Sequence, residues 1–571
     1  MPANAARVAA AVALLAAPAT AHAQTPPGTP LMPGVDYTRQ VQFTPHGPVV
    51  VHVVTAPRPV GLYALRPLLS NEAVQAREHL SAIERRLSSS ATIVAVSADH
   101  FSARDGVPGG GLIRSGVMDA STDATRATLG VDSSGTLRVD RVLTSGTWKG
   151  TGQRRPLDVN RPPARETVTL YTRAWGPTTP TEPGALEAVL SPFPPAAPNV
   201  NLQGTVVDVH ANGPTPIPAG GAVLVARNSQ AGLLSAEAPA GTSVSVRLNL
   251  VPAWSDVTDA VGGGPLLVSD GRPVFDAREA FSTAQLVYRQ ARSAVGQTAD
   301  GRLVVAVVDG RSGISAGMTN WELALTMVRL GAVTACALDT GPSATLAFDG
   351  EVVNRPVAGE QPIADALGVF YSGVYVPPPE APVVSPNGNG IADEGVFTYK
   401  VVRPSTVTAT LVSPDGGRRT LASGAVQPGV QTLRWKPDAS APEGEWRFEV
   451  AASDDRGRAS SEARSFDVNG TLAELAVAPT VVPLRARGGR LAIGFTLSRT
   501  AKVRVTIETA AGSVVATVVD RSFGGGRQQV VWNGRAAGGR VVPSGRYAVR
   551  VRAENQVGDV ALTAPFRTAR R

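Results

Sequence analysis

The chain has 571 residues, enough for about three domains, and a formal net charge of +8. Its basic residues are scattered arginines with only four lysines (Lys149, Lys400, Lys436, Lys502) among them, so no dense basic arm exists and nucleic acid is not an expected partner. The single cysteine, Cys336, excludes an internal disulfide framework and a cysteine-based metal site, and in the run "AVTACALD" it reads as a small buried hydrophobe.

Residues 1–23 read as a secretory signal peptide. Arg7 precedes the apolar run "VAAAVALLAAPAT", and Ala21–Ala23 is a small-x-small cleavage site, so the mature protein is expected to begin near Gln24. The apolar run is too short to span a bilayer, and no later segment has the length and apolarity of a transmembrane helix. A secreted protein is expected, its basic charge giving weak attraction to anionic cell-wall polymers.

Helical periodicity is confined to the first part of the chain. "NEAVQAREHLSAIERRL" spaces Val74, Leu80, Ile83 and Leu87 for one helix face, with Asn71 as its cap. "TNWELALTMVRLGA" carries a capping box of Thr319 and Glu322, an apolar stripe of Leu323, Met327 and Leu330, and Gly331 as its stop. Buried strands flank that helix: "RLVVAVVDG" ends on Asp309, and "AVTACALD" ends on Asp339. A strand–helix–strand unit of this kind places ligand sites at the carboxyl ends of its strands.

"YVPPPEAPVVSPNGNG" (375–390) can continue neither a helix nor a central strand, and residues 376–384 read as a Pro-rich linker. Beyond it the chain repeats itself. Trp435, Gly444 and Trp446 of one copy correspond to Trp532, Gly545 and Tyr547 of the next, each within short alternating runs. Such runs predict two antiparallel β-sandwiches, over residues 385–469 and 470–571. The pair resembles FlgD-type Ig-like domains, and "SPNGNGIADE" is similar to that family's opening motif. Asn387, Asn389 and Asp393 would there bind Ca²⁺ or form a plain Asx-turn without metal. No organic cofactor is indicated.

The segment "RSAVGQTADGRLVVAVVDGRSGISAGMTNWELALTMVRLGAVTACALDTGPSATLAFDGEVVNRP" (292–356) resembles the phosphodiester glycosidase family, the N-acetylglucosamine-1-phosphodiester α-N-acetylglucosaminidase-like proteins. "VAVSADHFSARDGVPGGGLIRSG" and "GGGPLLVSDGRPV" are similar to earlier motifs of that family in the same order, and the resemblance extends over 32–372. It implies an α+β fold: a mixed-sheet glycosidase domain over residues 24–375, followed by the two Ig-like β-sandwiches. It also implies hydrolysis of a sugar-1-phosphodiester, which needs a carboxylate near the anomeric carbon and cationic or N–H groups for the phosphate.

The carboxylate candidates are Asp339, Asp99 and Glu322; those for binding substrate or phosphate are Arg292, Arg311, Gly341, Ser343 and Asn354. Gly262–Gly264 would allow close backbone approach. Each candidate also has a plain reading: Glu322 closes its capping box, Asp339 caps a turn, Asp99 is a surface residue, and Arg292 pairs within the scaffold. His100 is an acid–base group by type, but it stands alone, where the family has an aromatic residue.

Departures from the family pattern fall near the chemistry. The family's D-G-G-G-S is here Asp339-Thr340-Gly341-Pro342-Ser343, its Asn in N-x-x-F-F is Ser97, and the Arg of its E-R segment is Gln361. Thr340 puts a Cβ where positive φ is expected, Pro342 removes an N–H, and Gln361 supplies no charge. Two readings follow. One is a secreted phosphodiester glycosidase acting on cell-wall or capsular glycans. The other is a catalytically lapsed relative that binds phosphorylated or anionic glycans at the cell envelope, with the Ig-like domains giving cell-surface association.

Overall fold

The computed structural model describes residues 28–162, 166–276, 278–388, 390, 392–438 and 441–570; the expected signal peptide lies outside them. The β-branched runs "PVVVHVVT" and "LVVAVV" form central strands because each is covered on both faces. They belong to an eight-stranded sheet whose middle order is Val35–Thr44, Gly47–Ala56, Leu303–Val308, Arg292–Thr298, Ala332–Thr340 and Leu266–Ser269. Arg292–Thr298 pairs antiparallel with both neighbours, so Leu303–Val308 and Ala332–Thr340 run parallel with one strand between them. The expected strand–helix–strand unit therefore forms in split fashion, and Asp309 and Asp339 end their strands at the same edge.

The helix Asn320–Arg329 covers one face of this sheet through Leu323, Ala324 and Met327. Its capping box is closed in both directions: Thr319 Oγ1 accepts the Glu322 N–H, and the Glu322 carboxylate accepts the Thr319 N–H at 2.9 Å. Gly331 ends it at φ +92°. The other face packs on a five-stranded sheet ordered Glu351–Val352, Leu346–Phe348, Thr92–Ser97, Asp365–Tyr371, Tyr63–Leu69. Val305, Val307, Cys336 and Leu338 meet Val94, Val96, Leu367 and Val369 in the shared core. Cys336 is fully buried there, as its apolar neighbours predict.

The first expected helix is shorter than its periodicity suggests, spanning only Leu80–Leu87. Tertiary contacts take the backbone before it: Val74 N–H donates to Ala174 and Glu78 N–H to Ile363. Asn71 is not its cap; it sits in a 3₁₀ turn at φ +48°, and its N–H donates to the Glu78 carboxylate. The sequence patterns also gave no hint of the closed seven-stranded barrel that the chain inserts between Leu143 and Val251, with Trp148 fully buried in its core.

Strands make up 53% of the structure and helices 7%, so the architecture is β-rich, built from several sheets. The two C-terminal units share one plan. In the first, the order is Val383–Val384, Ala459–Val468, Gly444–Asp454, Ser405–Val412, Arg418–Val426; in the second it is Val481–Leu484, Gly558–Arg570, Gly545–Asn555, Ala501–Thr509, Val514–Phe523. The repeat positions do the same work in both. Trp446 Nε1 donates to the Pro442 carbonyl as Tyr547 Oη donates to that of Pro543, and Trp435 and Trp532 pack in the two cores. At the opening of the first unit, Asp393 accepts the N–H groups of Gly388 and Gly390, which precede it in the chain, and so closes the loop from its far end; Asn389 lies outside the described residues.

Candidate active site

The strand Ala332–Thr340 carries Asp339 to the edge where the two sheets of the first domain meet. There the Asp339 N–H donates to the Ala98 carbonyl at 2.6 Å, tying this strand end to the loop that follows Thr92–Ser97. That loop presents Asp99 and His100. The strand Asp365–Tyr371, paired with Thr92–Ser97, brings up Asp365, whose Oδ1 accepts the Asp99 N–H at 2.8 Å. Three carboxyl groups from three separate segments thus converge, each no more than 4% exposed.

Each keeps one oxygen without a hydrogen-bond partner: Asp99 Oδ1, Asp339 Oδ2 and Asp365 Oδ2. Their other oxygens are engaged. Asp99 Oδ2 accepts the Gly110 N–H at 2.5 Å, and Asp339 Oδ1 accepts the Thr340 N–H at 2.8 Å and faces His100 Nδ1 at 3.3 Å. His100 Nε2 is likewise buried and unpartnered, and the ring edge-packs on Phe281. Four buried polar atoms without a protein partner in one place are costly in a folded protein unless a proton shared between the acids, water or a ligand meets them.

A cleft of about 500 Å³ opens over this cluster, lined by His100, Phe101, Arg126, Gln285, Asp339 and Ser343 among others. Arg126 stacks over Phe281 at 4.7 Å and donates through Nε to the Ala280 carbonyl, leaving its terminal nitrogens at the cleft. Arg161 lies deeper and donates to the carbonyls of Pro108, Gly110 and Ser121, so it supplies positive charge to the carboxyls without offering a free N–H fork.

Burial raises the Asp99 carboxyl above the usual range, against the opposing pull of the Gly110 N–H and of His100, Arg126 and Arg161. Burial, then the Asp99 charge beside it, hold Asp365 well above that range. Two acids this close cannot both ionise freely, and they titrate as a pair.

The structure brings together some of the residues expected from the sequence and sets others apart. Asp339 and Ser343 line the cleft, and Asp99 is buried beside His100 rather than on the surface. Glu322 is elsewhere, in its capping box and paired with Arg289. Arg292 is fully buried, donating to the carbonyls of Met318 and Tyr288, and burial lowers it to about 10; it has no cleft position and no carboxylate partner among the described residues. Arg311 is exposed in the loop after Leu303–Val308 and does not line the cleft. Asn354 uses both ends of its amide internally, accepting from Leu346 N–H and donating to the Ala344 carbonyl, and so pins the segment behind Ser343.

Gly341 holds the left-handed conformation, φ +76°, but its N–H donates to the Ala291 carbonyl and is not free for a phosphate. Thr340 is extended at φ −135°, so its Cβ brings no strain, contrary to the expectation from the motif. Gln361 turns to the carbonyls of its own loop, Ala358 and Gly359. Gly262 approaches not a ligand but the Asp99 carboxyl and Gly110, where any Cβ would collide.

Sequence reasoning does not reach Arg126, Arg161 or Asp365, and it gives His100 no partner. Asp365 had a usable signal, since it opens the buried run "DALGVFY" much as Asp339 closes "AVTACAL". The arginines had none. Among the described residues, no group of three or more His, Cys, Asp or Glu side chains is arranged to hold a metal ion.

Fold and cleft together define a β-rich domain with a buried carboxyl cluster at a strand edge, followed by two β-sandwiches. Residues 196–370 match the phosphodiester glycosidase family and residues 480–556 the FlgD Ig-like domain, which bears out both resemblances seen in the motifs. Asp339 and Asp365 fall inside the first match, and Asp99 and His100 before it. The chain is 34% identical over 109 residues to the SPbeta prophage-derived uncharacterized protein YomE of Bacillus subtilis (strain 168), a stretch covering 19% of this chain and 17% of that relative. Among solved structures it is similar to a hypothetical protein from Synechocystis, at 26% identity and a TM-score of 0.51, covering 60% of this chain and 64% of that one. The zebrafish N-acetylglucosamine-1-phosphodiester α-N-acetylglucosaminidase catalytic domain also matches, at 13% identity and a TM-score of 0.33, with 60% and 84% covered.

Proposed function

We propose that this chain is a secreted phosphodiester glycosidase that hydrolyses a sugar-1-phosphodiester in cell-wall or capsular glycans, with Asp339 and His100 at the reacting centre. The observation that carries this reading is the meeting of His100, Asp339, Asp99 and Asp365 beneath one cleft, each with an unpartnered polar atom. The match of residues 196–370 supplies the reaction class.

The chemistry follows from the geometry. A phosphate monoester leaves readily once its charge is met, so the group it needs most is a cation, and Arg126 supplies one at the cleft. The anomeric carbon passes through a cationic transition state, which a carboxylate beneath it stabilises. Asp339 Oδ2 is the free oxygen for that role, while Oδ1 orients the His100 ring through Nδ1. His100 then holds or moves the proton of the attacking water or departing oxygen. Asp99 and Asp365, which resist ionisation, keep the floor from carrying three full negative charges against an anionic substrate.

One observation favours the second reading, a relative that binds anionic glycans without turnover. Pro342 removes an N–H from the turn beside Asp339, and the Gly341 N–H is engaged internally, so this turn offers little to a phosphate.

The test is release of free sugar from a panel of sugar-1-phosphodiesters, GlcNAc-1-phosphate esters included, by residues 24–571. Turnover reduced at least a hundredfold by Asp339→Asn, with the fold intact, is the expected result. Binding of the esters without release by the unaltered protein would establish the second reading. Export is checked separately: expressed with its leader, the protein should be recovered outside the cytoplasm with an N-terminus at Gln24.

A further inference from the structure

A second, larger cleft of about 530 Å³ lies where the first β-sandwich meets the N-terminal domain, and it shares no lining residue with the acidic cleft. One wall is the outer edge of the five-stranded sheet, with Tyr63, Arg66 and Phe370. The other is the sandwich, with Arg403, Arg456 and Arg458 from the loops before Ser405–Val412 and Ala459–Val468.

The charge balance here leans positive. Arg403 is matched by Asp455, and Arg458 by Asp454. Arg66 and Arg456 are exposed, and neither has a carboxylate within ion-pair distance among the described residues; Arg66 only stacks over Phe370, at 5.9 Å. Of the two acids on the lining, Asp132 is paired with Arg138 at 3.4 Å, while Asp259 has no cationic partner among the described residues. Asp132 accepts from the N–H groups of Ser134 and Thr136, and Asp259 from the Ser115 N–H and the Thr258 hydroxyl. The cleft therefore presents two unpaired guanidinium groups against the single unpaired carboxylate of Asp259, which is only 6% exposed.

We propose that this inter-domain cleft is a second binding site, for an anionic oligosaccharide segment. Guanidinium groups recognise carboxylate and phosphate through paired N–H donors. Half-buried Phe370, on the same sheet face as Arg66, offers apolar surface against which a sugar packs, while the volume far exceeds what a single small anion fills. The site depends on both units being present, since each contributes arginines to it. It gives the first sandwich a part in binding that spacing alone does not require, and it does not rest on catalysis at Asp339.

The test is calorimetric titration of residues 24–571, at 0.15 M salt, with four probes: hyaluronan oligosaccharides, phosphomannan oligosaccharides, neutral dextran oligosaccharides and pyrophosphate. Either anionic sugar, or both, should bind at least tenfold more tightly than dextran and pyrophosphate, the first two probes telling carboxylate from phosphate recognition. The double variant Arg66→Gln/Arg456→Gln should lose at least tenfold in that affinity with an unchanged melting temperature. The variant Arg504→Gln/Arg550→Gln, which removes as much charge from the second sandwich, should bind as the unaltered protein does. The proposal is overturned if neither anionic sugar binds, if pyrophosphate binds as well as they do, if the first variant loses nothing, or if both variants lose equally.

Discussion

Asp365 sits behind Asp99, accepts its N–H at 2.8 Å, and has a second oxygen with no partner. Its carboxyl is held well above the usual range by burial and then by the Asp99 charge. In the folded protein it therefore keeps its proton at pH values where the unfolded chain has lost it. Its contribution to stability is complete below the unfolded value of about 3.9 and is lost as pH rises towards the folded value. Asp365→Asn keeps an oxygen for the Asp99 N–H and removes that loss. At pH 8 the variant should melt higher than the unaltered protein, and the difference should shrink as pH falls towards 4. Thermal unfolding across pH 4–8 reads this directly; a variant that melts lower at pH 8 would mean the carboxyl is ionised and stabilised in place. At this scale the sequence marked Asp339 and Asp99 because each follows an apolar run. His100 was illegible as a partner, since a histidine becomes an acid–base group through the carboxylate it faces.

The helix Asn320–Arg329 shows how a local signal can be right about structure and ambiguous about chemistry. Its capping box forms as the Thr-x-x-Glu spacing requires, and the Glu322 carboxylate is engaged by the Thr319 N–H and by Arg289. Thr319→Ala should cost about 1 kcal/mol of stability. Glu322→Gln, which still accepts a hydrogen bond, should cost less than that, and neither change should alter sugar release more than twofold. A hundredfold loss in Glu322→Gln with unchanged melting would return Glu322 to the reacting centre. The earlier segment went the other way. Its periodicity over 71–87 was sound as a pattern, yet only Leu80–Leu87 is helical, because the backbone before it is held by Ala174 and Ile363. Long-range hydrogen bonds outweigh propensity when a helix end is short and buried.

The first sandwich is docked on the N-terminal domain by polar contacts. Arg458 donates to the Gly61 carbonyl, Val374 N–H to the Ser460 hydroxyl, and Lys400 to the Ala91 carbonyl at 3.0 Å. Lys400 is 3% exposed, 3.5 Å from Asp349, and lies over the Tyr375 ring. Its removal leaves Asp349 and the Ala91 carbonyl without their donor. Lys400→Ala should destabilise the protein by about 1–3 kcal/mol, and in calorimetry should separate the unfolding of the sandwich from that of the N-terminal domain. Lys400→Met, which refills the space of the stem, should lose less. A single transition unchanged in both variants would show that this docking contributes nothing measurable.

By itself the sequence determined the elements and their kinship. The buried runs, the capping box, the paired sandwiches with their matched Trp and Gly positions, and the ordered glycosidase motifs are all properties of neighbouring residues, which alternation and turn chemistry record locally. Only the tertiary structure decided the site. Asp99 and Asp365 are 266 residues apart and meet because Thr92–Ser97 pairs with Asp365–Tyr371. The same folding turned Arg292 and Asn354 inward and closed the unanticipated barrel between Leu143 and Val251. A sequence pattern states which face of a strand is buried. Which strand becomes its neighbour is set by pairing and packing over the whole chain, and that choice decides which carboxyls share a cleft and what charge they carry there.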